Sequence, residues 1–194
     1  MKKLLTITAI IIISTVYANK LKIIIDGSLL YSFDQSLNTE IEKTSDGDPM
    51  PPLYFGFGGK VLFNAKVFDI GVGYSYNLSR SVDTKLKKMD DTFVNTGDIS
   101  IKNMLAYISV QKLFGISDVF KAGFFGDVGV DIYKITQTIN SATTEKNYFG
   151  LTSFIGGTME VGKKVGGKLD VGYDIGVNEF KTKVGIFFNI GKDD

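Results

Sequence analysis

Residues 168–190 place an apolar side chain at every second position. Leu169, Val171, Tyr173, Ile175 and Val177 alternate with Asp170, Gly172, Asp174 and Gly176. After Asn178-Glu179 the pattern resumes, with Phe180, Thr182, Val184, Ile186, Phe188 and Ile190 set against Lys181, Lys183, Gly185, Phe187 and Asn189. A period of two is a strand signature, because successive strand side chains point to opposite faces. The pair therefore reads as a hairpin of strands over about 168–177 and 180–190. Six further segments repeat the pattern, over about 23–33, 53–63, 66–78, 99–112, 119–135 and 148–162. The fourth breaks phase: Met104, Ala106, Ile108 and Val110 agree, while Ile99 and Ile101 fall on the other face. A bulge near Lys102, or a strand end projecting beyond the rest, accounts for that break.

Eight strands make an even number, as a closed antiparallel barrel with both termini on one side requires. The connections alternate in length. Long polar segments at 34–52, 79–98 and 136–147 follow the first, third and fifth strands, and short links follow the second, fourth and sixth. All three prolines, Pro49, Pro51 and Pro52, lie in the first long segment, so none interrupts a strand ladder. Ahead of the strands, Lys2-Lys3, the 13-residue apolar run 4–16 and the small-residue site Val16-Tyr17-Ala18 have the three regions of a secretory signal peptide. That run is short of the roughly 18–20 residues a spanning helix needs. The expectation is a signal peptide at 1–18 and a barrel over 19–194.

Which face meets water is decided by glycine. Gly56, Gly58, Gly71, Gly73, Gly123, Gly129, Gly156, Gly172, Gly176 and Gly185 all lie on the polar face. A solvated surface has no packing reason for glycine, whereas an eight-stranded barrel is barely wide enough for its side chains. The apolar face therefore points outward, to lipid, and the small and charged residues fill the bore. Aromatic residues agree: Tyr31, Phe33, Phe55, Tyr74, Tyr76, Phe149 and Phe180 fall toward the long-loop end, and Phe63, Phe68, Phe120 and Phe188 toward the turn end. Two such girdles match the two interfaces of a membrane.

In this layout the chain resembles the small eight-stranded OmpA/OmpX-type bacterial outer-membrane β-barrels over nearly all of residues 19–190. The resemblance implies an all-β, up-and-down transmembrane barrel in the outer membrane, with outer-membrane lipid and the outer-membrane assembly machinery as partners. The last strand is similar to that machinery's recognition signal, with Lys183, Gly185, Phe188 and Ile190 in the polar, glycine and alternate hydrophobic places. The chain departs from the pattern by ending in Gly191-Lys192-Asp193-Asp194 in place of a terminal Phe.

Charge and composition narrow the chemistry. Removing residues 1–18 takes two of the 22 basic groups and leaves 20 against 21 acidic ones, which is no nucleic-acid footprint. The chain contains no Cys, so it forms no disulfide and carries no lipidated cysteine, and it contains no His. Ser-His and Asp-His hydrolysis, thiol catalysis and His-based metal sites are thereby removed, and neither an enzyme nor a cofactor is expected. Residues 162–168, GKKVGGK, fit the opening of a phosphate-binding loop, but Leu169 stands where Ser or Thr is needed and a strand follows in place of a helix. They read as a hairpin turn, and FGFGG at 55–59 reads as strand alternation.

The inward-facing charges form the candidate site. Asp26, Asp69, Asp127, Asp131, Glu160, Asp170 and Asp174 oppose Lys60, Lys121, Lys181 and Lys183. Buried charges need partners, so these predict a salt-bridged plug, with a polar path for protons or small ions as the sharper alternative. The long segments at 34–52, 79–98 and 136–147 are the places for an external partner, since function concentrates on loops held by a rigid scaffold. Asp46-Gly47-Asp48 lacks the ligand spacing of a calcium loop. The expected role is structural or one of surface interaction, such as adhesion. The alternatives are a small porin-like or OmpW-like transport barrel for ions or apolar solutes, and a soluble lipocalin-like barrel with an apolar cavity.

Overall fold

A computed structural model describes residues 20–32, 53–65, 67–87, 93–139, 141–176 and 178–191. They form eight antiparallel strands: β1 (Lys20–Ser32), β2 (Leu53–Asn64), β3 (Asp69–Lys87), β4 (Phe93–Gly115), β5 (Phe120–Ile139), β6 (Ala142–Gly162), β7 (Val165–Asp174) and β8 (Glu179–Gly191). Each strand pairs with its chain neighbours, and β1 closes the ring on β8 from Lys20↔Gly191 to Ser32↔Glu179. The result is an up-and-down barrel without an open edge around its waist. Residues 1–18 and the segment 34–52 lie outside the described residues.

The alternation read from the sequence sorts side chains between the two faces. Ile24 is 1% exposed and its neighbour Ile25 62%. Val128, Leu151, Val184 and Ile186 are exposed on the outside, while Asp127, Thr152, Lys183 and Phe187 are buried within. A band of aliphatic and aromatic side chains thus wraps the barrel, and the charges are inside. Water would expel such a band, and hydrocarbon accepts it. The fold is a transmembrane β-barrel. Val128→Lys, at the middle of the band, is expected to cost about 2–4 kcal/mol of stability in lipid vesicles. Thr144→Lys, beyond the band on β6, should leave unfolding in urea unchanged.

Glycine's place on the inner wall has a steric cause. A Cβ on Gly71 would lie 1.8 Å from the Val61 carbonyl oxygen, and one on Gly123 the same distance from that of Lys112. Neighbouring backbones approach that closely because a barrel this small must coil its strands tightly.

One expectation is corrected, and one pair of alternatives is decided. The segments 79–98 and 136–147 are mostly strand: β3 runs on to Lys87, β4 starts at Phe93, β5 continues to Ile139 and β6 starts at Ala142. Both connections are long hairpins, of which 88–92 and 140 lie outside the described residues. Second, β4 carries no bulge near Lys102, since it pairs with β5 without a shift from Gly97↔Ile139 to Gly115↔Lys121. Against β3 there are two shifts: β3 takes an extra residue between Asn77 and Arg80, opposite Lys102, and β4 takes one between Asn95 and Gly97. The phase break on β4 fits the other origin that the sequence allows, a projecting strand end: Ile99 and Ile101 are buried inside, with Tyr133 and Ile135 packed against them. Above the lipid band the outside is water, so the apolar residues turn inward there.

Candidate functional site

The bore is occupied by side chains, arranged in three groups of charges between apolar pieces. Among the described residues, five lysines and seven carboxylates are buried. Toward the turn end, the Lys22 ammonium donates to both Glu160 oxygens at 3.0 and 2.8 Å and stands 3.5 Å from Asp69. Lys168 meets Glu160 at 3.4 Å and Asp170 at 2.9 Å, and donates to Gln111 Oε1 at 2.9 Å. Gln111 in turn donates to Asp69 at 2.9 Å.

At mid-bore, Lys60 stands 3.3 Å from Asp170 and 3.8 Å from Asp127, and Lys183 stands 3.3 Å from Asp127. Aromatic faces complete the solvation of these ammoniums: Lys183 lies over the Tyr107 ring at 4.7 Å and Lys60 over Phe125 at 5.3 Å. Asp26 is buried beside them, yet neither of its oxygens accepts a hydrogen bond from the protein.

Toward the loop end, Lys181 pairs with Asp174 at 2.9 Å and lies 3.8 Å from Glu179. Asp174 also accepts from the Thr152 hydroxyl and from the Ser153 and Gly176 amides. Glu179 accepts from the Tyr54 hydroxyl, and Asp131 from Asn103 at 3.1 Å. This layer holds three carboxylates around one lysine. The Ile99–Ile101 cluster lies beyond it, and Ile24, Leu62 and Phe187 form a second apolar cluster farther down the bore.

Of the residues singled out in the sequence, Asp26, Lys60, Asp127, Asp131, Glu160, Asp170, Asp174, Lys181 and Lys183 are buried inside. Asp69 and Lys121 are only half-buried, in the mouth at the turn end. Three network members were missed. Lys168 and Glu179 share the parity of Asp170 and Lys181, but in sequence Lys168 reads as part of the turn beside it and Glu179 as part of the hairpin break. Lys22 precedes the strand start assumed at residue 23, and Ile24, in phase with Asp26, masks the alternation there. Phe187 is buried on the polar face to which its alternation assigns it, the inward aromatic residues Tyr107, Phe125 and Phe154 are not among the residues singled out in the sequence, and Phe63, placed in the turn-end girdle, is buried. In the last strand, Lys183 points into the bore and Gly185 lies against the Ile25 carbonyl and Asp26, while Phe188 and Ile190 are on the outer face.

No acid cluster suited to a metal ion occurs among the described residues. What the arrangement does is pair every buried lysine with a carboxylate: the ion pairs bridge strands across the bore and hold it filled, with two carboxylates more than lysines.

No protein-family model matches the chain, and no curated protein does so. Solved structures do. The chain is similar to Ail, the attachment invasion locus protein of Yersinia pestis, at 12% identity and a TM-score of 0.54, covering 89% of this chain and 99% of that one. It also matches the N-terminal β-barrel domain of Pseudomonas aeruginosa OprF, at 12% identity and a TM-score of 0.47 over 89% and 98% of the two chains. The likeness to Ail is one of fold, and this chain has the eight-stranded barrel architecture that the strand pairing already defines.

Proposed function

We propose that the protein is exported through a cleaved signal peptide at 1–18, resides in a bacterial outer membrane, and serves there as a non-enzymatic surface-contact protein. The observation that carries this reading is the overshoot of four strands. β3, β4, β5 and β6 are 19, 23, 20 and 21 residues long, against 13, 12, 10 and 13 for β1, β2, β7 and β8. A tilted strand crosses hydrocarbon in about 9–11 residues. Much of β3–β6 therefore stands above the membrane as a four-stranded sheet. Among the described residues, nothing pairs with its two outer edges, β6 over 142–150 and β3 beyond Asn77. Unpaired edges are where an extended segment of another chain adds as a strand.

Attachment is also the activity in the name of the Yersinia pestis barrel. The last strand supports recognition by the assembly machinery through Lys183, Gly185, Phe188 and Ile190. The charged plug supports rigidity of the scaffold; transport of ions or apolar solutes is the poorer fit, because side chains fill the bore.

The test is to shorten one hairpin without disturbing the barrel. Gln137 pairs with Thr144 and Thr136 with Glu145, so replacing 137–144 by Asn-Gly leaves a two-residue turn in register. Both forms are displayed on a non-adherent bacterial host and scored for attachment to protein- and polysaccharide-coated surfaces. The full-length form should confer attachment and the shortened form lose it, with both keeping the heat-dependent shift on SDS gels that closed membrane barrels show. Attachment by neither form, or equally by both, would remove the surface-contact reading and leave the barrel standing.

A further inference from the structure

β4 carries a charge on the wall that faces lipid. Lys112 is exposed on the outer face, in phase with Ile108, Val110 and Phe114, while its neighbour Gln111 is buried in the bore. It stands near the turn end of the apolar band, opposite Phe124 on β5, which is 70% exposed, and one step from the Val110–Ile70 pair. None of these neighbours has a side chain that accepts a hydrogen bond. Among the described residues the Lys112 ammonium has no carboxylate or hydrogen-bond partner, and it lies over the Phe114 ring, 5.6 Å from the centroid. Every lysine buried in the bore is paired with a carboxylate, and this one on the outer wall is not.

The turn beyond it fixes its depth. The Ile116 and Ser117 amides both donate to the Phe120 carbonyl at 3.0 Å, and the Ser117 hydroxyl oxygen accepts from the Val119 and Phe120 amides at 3.4 and 3.1 Å. The closed turn leaves Ile116 and Val119 exposed, and Phe114 is exposed on the strand below them. Apolar surface thus continues past Lys112 toward the turn, which sets its backbone inside the apolar band. Asp118, the acidic residue of the turn, is directed to Lys163, at 3.8 Å. A lysine on the lipid face costs more the deeper it lies, and its long stem relieves that cost by carrying the ammonium to the interface. The contact with Phe114, two residues nearer the turn, shows the ammonium reaching that way.

We propose that Lys112 binds the phosphate of an anionic phospholipid headgroup at the turn-end face of the membrane. The ammonium approaches the headgroup layer from the lipid side of the wall, and the anion at that depth is a lipid phosphate. One cation matches the single negative charge of a phosphodiester, and an ammonium binds phosphate as a point charge without a fixed fork geometry. An anionic headgroup is favoured over a zwitterionic one, because the latter brings its own cation to compete with Lys112. Phe114 and Phe124 flank the place with rings suited to the membrane interface. The inference goes beyond the surface-contact reading and concerns the opposite end of the barrel.

The full-length protein is placed in phosphatidylcholine nanodiscs, phosphatidylglycerol is introduced in increasing fraction at constant ionic strength, and backbone amide shifts are followed by NMR. Saturable shifts are expected at Lys112, Phe114 and Phe124, with none at the projecting hairpins. Lys112→Gln should raise the half-saturating fraction of phosphatidylglycerol about fivefold, the effect of one lysine near an anionic membrane surface. Lys112→Arg should keep it, and Lys163→Gln, on the neighbouring turn, should leave it unchanged. Because Lys112 has no ion pair to lose, its variants should retain the heat-dependent gel shift. Absent or non-saturating shifts, or a half-saturating fraction that Lys112→Gln does not raise, would overturn the site.

Discussion

Asp170→Asn is expected to destabilise the barrel by about 3–5 kcal/mol, the cost of removing one partner from a buried ion network. Asp170 joins two layers of the plug. One oxygen takes the Lys168 ammonium at 2.9 Å and the Thr158 hydroxyl at 2.5 Å, and the other takes Lys60 at 3.3 Å. An amide keeps the shape and loses the charge. Lys60 then retains Asp127 at 3.8 Å, and Lys168 retains Glu160 at 3.4 Å, both longer than what was lost.

Asp26→Asn is the contrasting case. Its two oxygens are buried and accept no hydrogen bond from the protein, so its charge is desolvated without direct compensation. That substitution should fall within about 1 kcal/mol of the parent, or stabilise it. The chain contains no Trp, so unfolding in urea is followed by far-ultraviolet circular dichroism and by the gel shift. Equal losses for the two variants would mean that the plug's hydrogen-bonded pairs are not what holds it.

The second large effect is steric. Gly123→Val would set a Cβ 1.8 Å from the Lys112 carbonyl oxygen and 2.8 Å from its carbon, where no rotamer helps because the collision is with backbone. Overpacking costs about 1–3 kcal/mol where side chains can yield, and more is expected here. Little heat-modifiable barrel should be recovered on refolding. Gly150→Ala has nothing within 4 Å of its added carbon and should be neutral or slightly stabilising. A Gly123→Val barrel as stable as the parent would contradict the close approach of β4 and β5.

The parts legible in the sequence are those set by the two solvents of a membrane protein. Between the membrane interfaces, lipid outside and a crowded bore inside impose strict alternation, and residues such as Asp127 beside Val128 can be placed by parity alone. Where one of those conditions lapses, the reading fails. Beyond the lipid band Ile99 and Ile101 turn inward, so the apolar residues change face while β4 stays in register with β5, and alternation alone leaves a bulge and a projecting strand end undistinguished. The polar stretches at 79–98 and 136–147 resemble loops because strands standing in water need no apolar face. Inside the bore, Phe154 and Phe187 share the parity of Thr152 and Lys183, and glycine neighbours leave their rings room, since a Cβ on Gly172 or Gly166 would meet them.

The central claim is that the apolar face meets lipid and the charged face fills the bore. The most direct test uses neighbours in one strand. In nanodiscs containing lipids spin-labelled along the acyl chain, the methyl signals of Ile25, Val128, Leu151 and Ile186 should broaden, while those of Ile24, Leu62 and Leu105 stay sharp. Broadening of Ile24, Leu62 and Leu105 with protection of Ile25, Val128, Leu151 and Ile186 would turn the barrel inside out and contradict the account.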